Sequence, residues 1–229
     1  MRNVIIIVIS INLFFSGNRA DAQTRNFSYF GSYNRSFGHL TGEVSSDLQY
    51  PIYDEVEKLT SGNVNQFEGG SFYKSFGLGL IYNTYAADAT TTYDNADVNT
   101  DGYPENGVLI DNLRLRFTAL EILYKRPLFS SRFDICWKIA LGMQSYKLDN
   151  YTEIMGTYPN SYSRKVSGNI FTTLLGMEIN YCIWKMISLG AEGSLIPGNY
   201  KELKIQDSEY TTTDNVSRLN AGLKIIITL

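Results

Sequence analysis

A short run of oxygen-bearing side chains is the best candidate for ligand chemistry in this sequence. Asp97, Asn99 and Asp101 alternate with other residues and a glycine follows, as at the start of a calcium-binding loop. Carboxylate and amide oxygens then lie on one side, and the glycine permits the sharp turn around the ion. Glu105 falls at the ninth position, but a valine stands at the twelfth, where a bidentate glutamate is usual. The pattern predicts either a calcium site at Asp97, Asn99, Asp101 and Glu105 or a polar surface loop, and no other cofactor is expected.

The sequence contains one histidine, His39, which excludes His-rich metal sites and leaves one possible general base. Ser36 and Ser45 lie near it in sequence and could serve as nucleophiles activated by that base. The alternative is a histidine in a solvated loop. We favour the second interpretation and expect neither enzymatic activity nor catalytic residues.

Two long stretches alternate between apolar and polar residues, and they organise the rest of the chain. Odd positions are apolar from 133 to 143, and the pattern repeats from 171 to 183 with one threonine. Side chains alternate faces along a strand, so each stretch has one apolar and one polar face. Both stretches are longer than the usual strand of a soluble protein and have the length of a tilted strand that crosses a bilayer. The predicted fold is all-β, an eight-stranded antiparallel up-and-down transmembrane β-barrel.

Residues 1–22 have the pattern of a signal peptide. Arg2 supplies the positive end, an apolar run covers 4–15, and Ala20 and Ala22 form a small-x-small cleavage site. The apolar run is too short to span a bilayer as a helix. The chain is therefore predicted to be exported, and residues 23–229 to form one barrel domain. The formal net charge of −3 is modest and argues against a general nucleic-acid or anionic-lipid partner.

The connections between the eight predicted strands are alternately long and short along the chain. Strands are predicted at 26–38, 60–73, 76–86, 108–124, 133–148, 167–183, 187–196 and 216–229, with a short helix after Pro51. Outer-membrane barrels have long loops outside and tight turns in the periplasm, so both termini are predicted to be periplasmic. A soluble eight-stranded lipid-carrier barrel is the alternative, but it would have to bury the charges of the polar face.

Three short motifs support this interpretation: residues 76–82 after a tight turn, 127–132 between strands four and five, and 216–223 at the last strand. With these motifs the chain resembles the small, mostly uncharacterised outer-membrane β-barrel proteins of Gram-negative bacteria. The resemblance implies location in the cell outer membrane, contact with its lipid, and insertion by the barrel-assembly machinery. Family members usually end in an aromatic residue, whereas this chain ends in Leu229.

The polar faces carry eight charged residues that are predicted to point into the barrel. They are Arg114, Arg116, Asp134, Lys138, Glu178, Glu192, Arg218 and Lys224. On strand four this assigns Leu113, Leu115 and Phe117 to the lipid side, with a bulge near 120–122. Side chains fill an eight-stranded barrel, and an isolated buried charge costs several kcal/mol. The charges are therefore predicted to form a network that closes the lumen; the alternative is a narrow water-filled pathway for ions or small solutes.

Cys136 and Cys182 are the two cysteines, and both are assigned to inward positions near the periplasmic ends of neighbouring strands. In an oxidising compartment they could form a disulfide, or remain two small interior residues. The function favoured by the sequence is a closed structural or surface-interaction barrel. A solute channel, a soluble carrier and a lipid-modifying enzyme remain as alternatives.

Overall fold

The computed structural model describes residues 27–41, 59–96, 105–128, 132–155, 160–205 and 211–229. The strands are β1 Phe27–Leu40, β2 Ser61–Tyr73, β3 Phe76–Ala96, β4 Glu105–Leu128, β5 Phe133–Met155, β6 Asn160–Trp184, β7 Ile187–Ile196, β8 Asn199–Ile205, β9 Thr211–Asn215 and β10 Arg218–Thr228. Within these ranges no helix is long and apolar enough to cross a membrane. The predicted signal peptide, the predicted helix after Pro51 and Ser45 lie outside the described residues.

Eight strands close into a ring in the order β1, β2, β3, β4, β5, β6, β7, β10, and every neighbouring pair is antiparallel. The pairing of β10 with β1 closes the ring, so no strand of the barrel has a free edge along its whole length. β8 and β9 form a hairpin that continues β7 and β10 beyond the ring. The predicted eight-stranded antiparallel barrel is confirmed.

The hydrogen-bond register fixes the width of the barrel. Residues paired directly across neighbouring strands lead from Tyr33 on β1, by way of β2, β3, β4 and β5, to Phe171 on β6. Around the ring in the other direction, by way of β10 and β7, the paired residues lead from Tyr33 to Tyr181. The two paths therefore reach β6 at positions ten residues apart, which is the stagger of the ring. A stagger of this size goes with strands tilted by about 35–45° and a lumen that side chains can fill.

The two ends of the barrel differ. At one end, here called the turn end, β2 and β3 are joined by Lys74 and Ser75, and β6 and β7 by Lys185 and Met186. Lys74 has a φ of 57°, the left-handed conformation that tight turns use. At the opposite end, here called the loop end, the strands β3 to β6 project as long ribbons. Strand pairing there is longer than the sequence suggested.

Two segments predicted as polar loops are strands. β5 and β6 remain paired from Phe133 and Tyr181 to Ile154 and Asn160, so the predicted loop at 149–166 is largely a β-ribbon. The predicted loop at 199–215 contains the β8–β9 hairpin. Both segments lack an apolar outer face because they project beyond the part of the wall that carries large apolar side chains. Backbone pairing does not require such a face.

The assignment of faces on β4 was wrong. Leu113, Leu115 and Phe117 are fully buried inside the barrel, and Arg114 and Arg116 point outward. The predicted bulge is also wrong, because β4 pairs with β5 without interruption. At the loop end an apolar cluster fills the interior, so the leucines belong inside and the arginines face the surroundings.

The outer face carries a continuous belt of large apolar side chains. Members with at least half of their surface exposed include Leu78, Leu80, Leu120, Ile122, Ile139, Leu141, Phe171, Leu223 and Ile225. Aromatic pairs line the edge of the belt nearest the turn end. They are Phe27 with Tyr73, Phe76 with Tyr124, and Phe133 with Tyr181, and their ring centroids are 4.7–5.0 Å apart. An apolar belt bordered by aromatic side chains is typical of membrane-spanning barrels.

Candidate functional site: a buried charged layer

Five ionisable side chains meet in the middle of the lumen and form what is here called the charged layer. Its members are Glu68 on β2, Lys138 on β5, Glu178 on β6, Glu192 on β7 and Lys224 on β10. Each occupies an inward position of the period-two pattern. The register sets Glu178 directly opposite Glu192, which places two like charges side by side. Such a pair is unfavourable unless a cation lies between them.

Lys138 and Lys224 supply those cations. The Lys138 ammonium lies 2.5 Å from Glu68 Oε1, 2.8 Å from Glu192 Oε1 and 3.3 Å from Glu178 Oε2. Lys224 donates to Glu68 Oε2 and, over 2.5 Å, to Glu178 Oε2, with Glu192 Oε2 at 3.7 Å. All five side chains are at most 5% exposed. Two lysines therefore bridge three carboxylates out of contact with solvent.

Neutral amides complete the hydrogen bonding of the carboxylates. Gln66 donates to Glu68 over 2.6 Å and to Glu192 over 2.7 Å. Asn34 donates to the second oxygen of Glu192 over 2.9 Å. Asn83 in turn donates to Gln66 over 2.7 Å, so the amides form a connected set. The carboxylates of Glu68 and Glu192 are thus hydrogen-bonded, while Asn34 Oδ1 accepts no hydrogen bond from the described residues.

Glu121 on β4 differs from the other carboxylates. It is 1% exposed and lies next to the charged layer, yet neither of its oxygens accepts a hydrogen bond in the described part of the chain. Gly79 on the neighbouring strand β3 lies directly opposite Glu121. Because Gly79 has no side chain, it leaves the space that the Glu121 carboxylate occupies. Glu121 therefore lies beside the bridged set without belonging to it.

Apolar layers lie on both sides of the charged layer. Toward the turn end stand Phe30, Leu123, Cys136 and Ile226, with Phe72 packed against them. Toward the loop end stand Ile81, Phe117, Ala119, Ala140, Leu174 and Ile196. Closer still to the loop end, a larger apolar cluster that includes Tyr85, Leu113, Tyr146 and Tyr200 fills the barrel. Buried side chains thus cross the lumen at several levels.

The predicted interior charges occupy four different places. Lys138, Glu178, Glu192 and Lys224 meet in the charged layer. Arg218 is buried nearer the loop end, where it donates to Asn83 over 2.6 Å and lies 5.5 Å from the centre of the Tyr85 ring. Asp134 lies at the turn end, 3.0 Å from Lys125. Arg114 and Arg116 were wrongly assigned to the lumen and lie on the outer wall.

Glu68 and Glu121 were missed by sequence reasoning. β2 contains three glycines, which weaken its alternating pattern, and the bulge assumed in β4 left Glu121 without an assigned face. The alternation of Gln66 and Glu68 with Phe67 is the signal that could have revealed the first of them.

Cys136 and Cys182 are both free. Cys136 pairs in register with Glu178, so Cys182 lies four residues, or about 13 Å, further along β6. A disulfide needs α-carbons within about 7 Å of each other. The suggested disulfide is therefore not formed, because the two cysteines lie at different levels of the barrel.

The remaining candidates for chemistry lie partly outside the described residues, and the calcium site stays a prediction. Asp97, Asn99 and Asp101 lie outside the described residues, and Glu105 is the first residue of β4. His39 points outward, where its Nδ1 lies 3.2 Å from the hydroxyl of Ser61, whereas Ser36 points into the barrel. The suggested pairing of His39 with Ser36 is wrong, because neighbouring odd and even positions face opposite sides of a strand.

Comparison with solved structures identifies the fold. The outer membrane protein OprG from Pseudomonas aeruginosa matches with a TM-score of 0.52 at 8% identity, over 88% of this chain and 95% of that chain. This chain has the fold of an outer-membrane β-barrel. Outer membrane protein AlkL, solved in lipid bilayers, matches with a TM-score of 0.50 at 12% identity, over 93% of this chain and 94% of that chain. Comparison with protein-family models and with curated proteins finds no match.

Proposed function

We propose that this protein is a closed barrel of the outer membrane, with a structural or surface-interaction role rather than a transport role. The observation that carries the proposal is the charged layer. Its two lysines and three carboxylates are mutually bridged, and apolar side chains fill the lumen on its loop-end side. An ion moving along the lumen would have to displace both the bridged side chains and these apolar side chains.

A narrow channel is the second candidate, and one cavity favours it. A space of about 140 Å³ opens at the turn end and is lined by Lys74, Lys125, Glu178, Asn180 and Lys224, among others. It leads from the turn end to the side of the charged layer that faces the turn end. If the layer rearranged, this cavity would supply one half of a pathway.

Conductance and stability of Glu192→Gln distinguish the two candidates. Glu192 accepts hydrogen bonds from Asn34 and Gln66 and an ion pair from Lys138. In a closed barrel, loss of this charge removes one partner of a buried pair, which costs about 3–5 kcal/mol. We expect a lower free energy of unfolding by urea in lipid vesicles, and no conductance of the unmodified protein in planar bilayers.

Glu121→Gln is the matched control, since it also replaces a buried carboxyl group of the lumen by an amide. Because Glu121 accepts no hydrogen bond from the described residues, its replacement should leave the free energy of unfolding unchanged or raise it. Steady conductance of the unmodified protein, with altered ion selectivity and unchanged stability in Glu192→Gln, would contradict the closed barrel and support the channel.

The proposed location has its own test. The apolar outer belt requires lipid around it, and a barrel inserted by the assembly machinery has its tight turns in the periplasm and its loop end outside. We expect the protein in washed outer membranes after carbonate extraction, and cleavage of external loops by protease added to whole cells. Recovery in the soluble periplasmic fraction would contradict this location.

A further inference from the structure

A basic cleft lies on the outer wall at the loop end. It has a volume of about 750 Å³, and five cationic side chains line it: Arg114, Arg116, Lys147, Lys201 and Lys204. Glu202 is the only acid among the described residues that line it. Ser145, Ser167 and Asn169 add neutral polar groups. The cleft lies apart from the charged layer, although Tyr146 at its inner side also belongs to the apolar cluster of the loop end.

The break between β7 and β8 creates this concavity. β6 pairs with β7 as far as Leu175 and Leu195, and its pairing resumes with β8 only at Ser167 and Lys204. Between these points β8 departs from β6, and Thr172 donates a hydrogen bond to the carbonyl oxygen of Pro197 over 2.6 Å. The wall is therefore indented where β8 leaves it, and Lys201 and Lys204 approach the cations of β4 and β5.

Register also aligns the cations. Arg114 pairs with Lys147, Lys147 with Ser167, and Ser167 with Lys204, so three cations stand in one row across four strands. Cross-strand neighbours of like charge repel each other unless an anion lies between them. Arrangement in a row therefore favours occupation by an anionic group.

Only part of this positive charge is neutralised within the protein. Arg114 pairs with Asp88 and Lys147 with Asp149, each at 2.6 Å. Arg116, Lys201 and Lys204 form no ion pair with the described residues, and Lys201 and Lys204 are exposed. Within the described part of the chain, three cations thus have no acidic partner.

The cleft begins where the apolar belt ends. On β6 the outward residue next to Asn169 toward the turn end is Phe171, 69% exposed, and on β5 the one next to Ser145 is Met143, 50% exposed. An amphiphile whose acyl chains lay on this belt would carry its headgroup at the level of the cleft. A soluble anion would gain nothing from that belt.

We propose that the cleft binds the phosphate groups of a phosphorylated lipid in the outer leaflet. Arginine offers paired donors that match phosphate oxygens, and cations close to a membrane surface attract anionic lipid. Acyl chains of the lipid pack along Met143 and Phe171 while Arg116, Lys201 and Lys204 contact its phosphates. This inference rests on the proposed outer-membrane location and names the partner of the surface.

The test measures binding of bis-phosphorylated lipid A and of dephosphorylated lipid A to the full-length purified protein in detergent. The unmodified protein should bind the phosphorylated form more tightly. The triple variant Arg116→Gln, Lys201→Gln, Lys204→Gln should lose about 100-fold in affinity for it, at about fivefold per cation. High salt should weaken the binding, because screening shortens the reach of exposed charges.

A second triple variant controls for net charge. Lys74→Gln, Arg126→Gln and Lys185→Gln remove one arginine and two lysines from exposed positions at the turn end. This control should bind lipid A as the unmodified protein does. Equal loss in both triple variants, equal affinity for the dephosphorylated lipid, or tight binding of inorganic phosphate alone would overturn the proposal. Because detergent binding does not depend on cellular location, fractionation still tests the proposed location separately.

Discussion

Replacing Lys138 by methionine is expected to lower the free energy of unfolding by about 3–5 kcal/mol, because one partner of a buried ionic network is lost. Lys138 lies within 3.3 Å of three carboxylates and is fully buried. Methionine fills a similar volume but leaves Glu68, Glu178 and Glu192 with Lys224 as the one remaining cation of the charged layer. Urea unfolding of the protein folded into lipid vesicles measures the effect.

Lys147→Met is the control on the same strand. Lys147 pairs with Asp149 at 2.6 Å, as short as the contacts of Lys138, but its side chain is 55% exposed. An exposed pair contributes about 1 kcal/mol or less, so this variant should unfold nearly as the unmodified protein does. Similar losses in Lys138→Met and Lys147→Met would mean that the charged layer is hydrated and not a buried network.

Replacing Leu175 by arginine is expected to cost about 2–4 kcal/mol, since it places a charge on the lipid face near the middle of the bilayer. Leu175 points outward and is 48% exposed, and its register neighbour Ile139 is 53% exposed. Around both residues the outer surface is apolar. Folding yield and urea unfolding in lipid vesicles report the loss.

Ser163→Arg tests the same strand and the same face outside the apolar belt. Ser163 is exposed and lies on β6 twelve residues from Leu175 toward the loop end, about 40 Å along the strand. Arginine there remains in water, so little change in stability is expected. Equal damage by Leu175→Arg and Ser163→Arg would contradict the position assigned to the apolar belt.

Period-two alternation predicted the strands that cross the membrane with the correct faces. On β5 and β6 the outward residues are the odd-numbered ones that the pattern placed on the apolar face. The pattern is reliable there because lipid surrounds the outer wall, so each outward position in the belt must be apolar. The same requirement makes the barrel fold itself readable from the sequence.

On β4 the same reasoning failed, because a repeat tells which residues share a face but not which face is inside. Leu113, Leu115 and Phe117 alternate with arginines as regularly as any lipid-facing strand does. Beyond the apolar belt the surroundings are aqueous and the interior is apolar, so polarity inverts along a single strand. No local signal in the sequence marks the residue at which this inversion occurs.

The sequence alone determined the membrane-spanning alternation and the presence of inward charges, because each follows from the neighbours of a residue along the strand. The tertiary structure decided which charges meet. Lys138 contacts carboxylates from β2, β6 and β7, and the ten-residue stagger of the closed ring brings them to one level. Likewise the basic cleft exists only because β8 leaves β6 after Pro197. Contacts between distant strands depend on ring closure and stagger, which are properties of the whole barrel and not of any one segment.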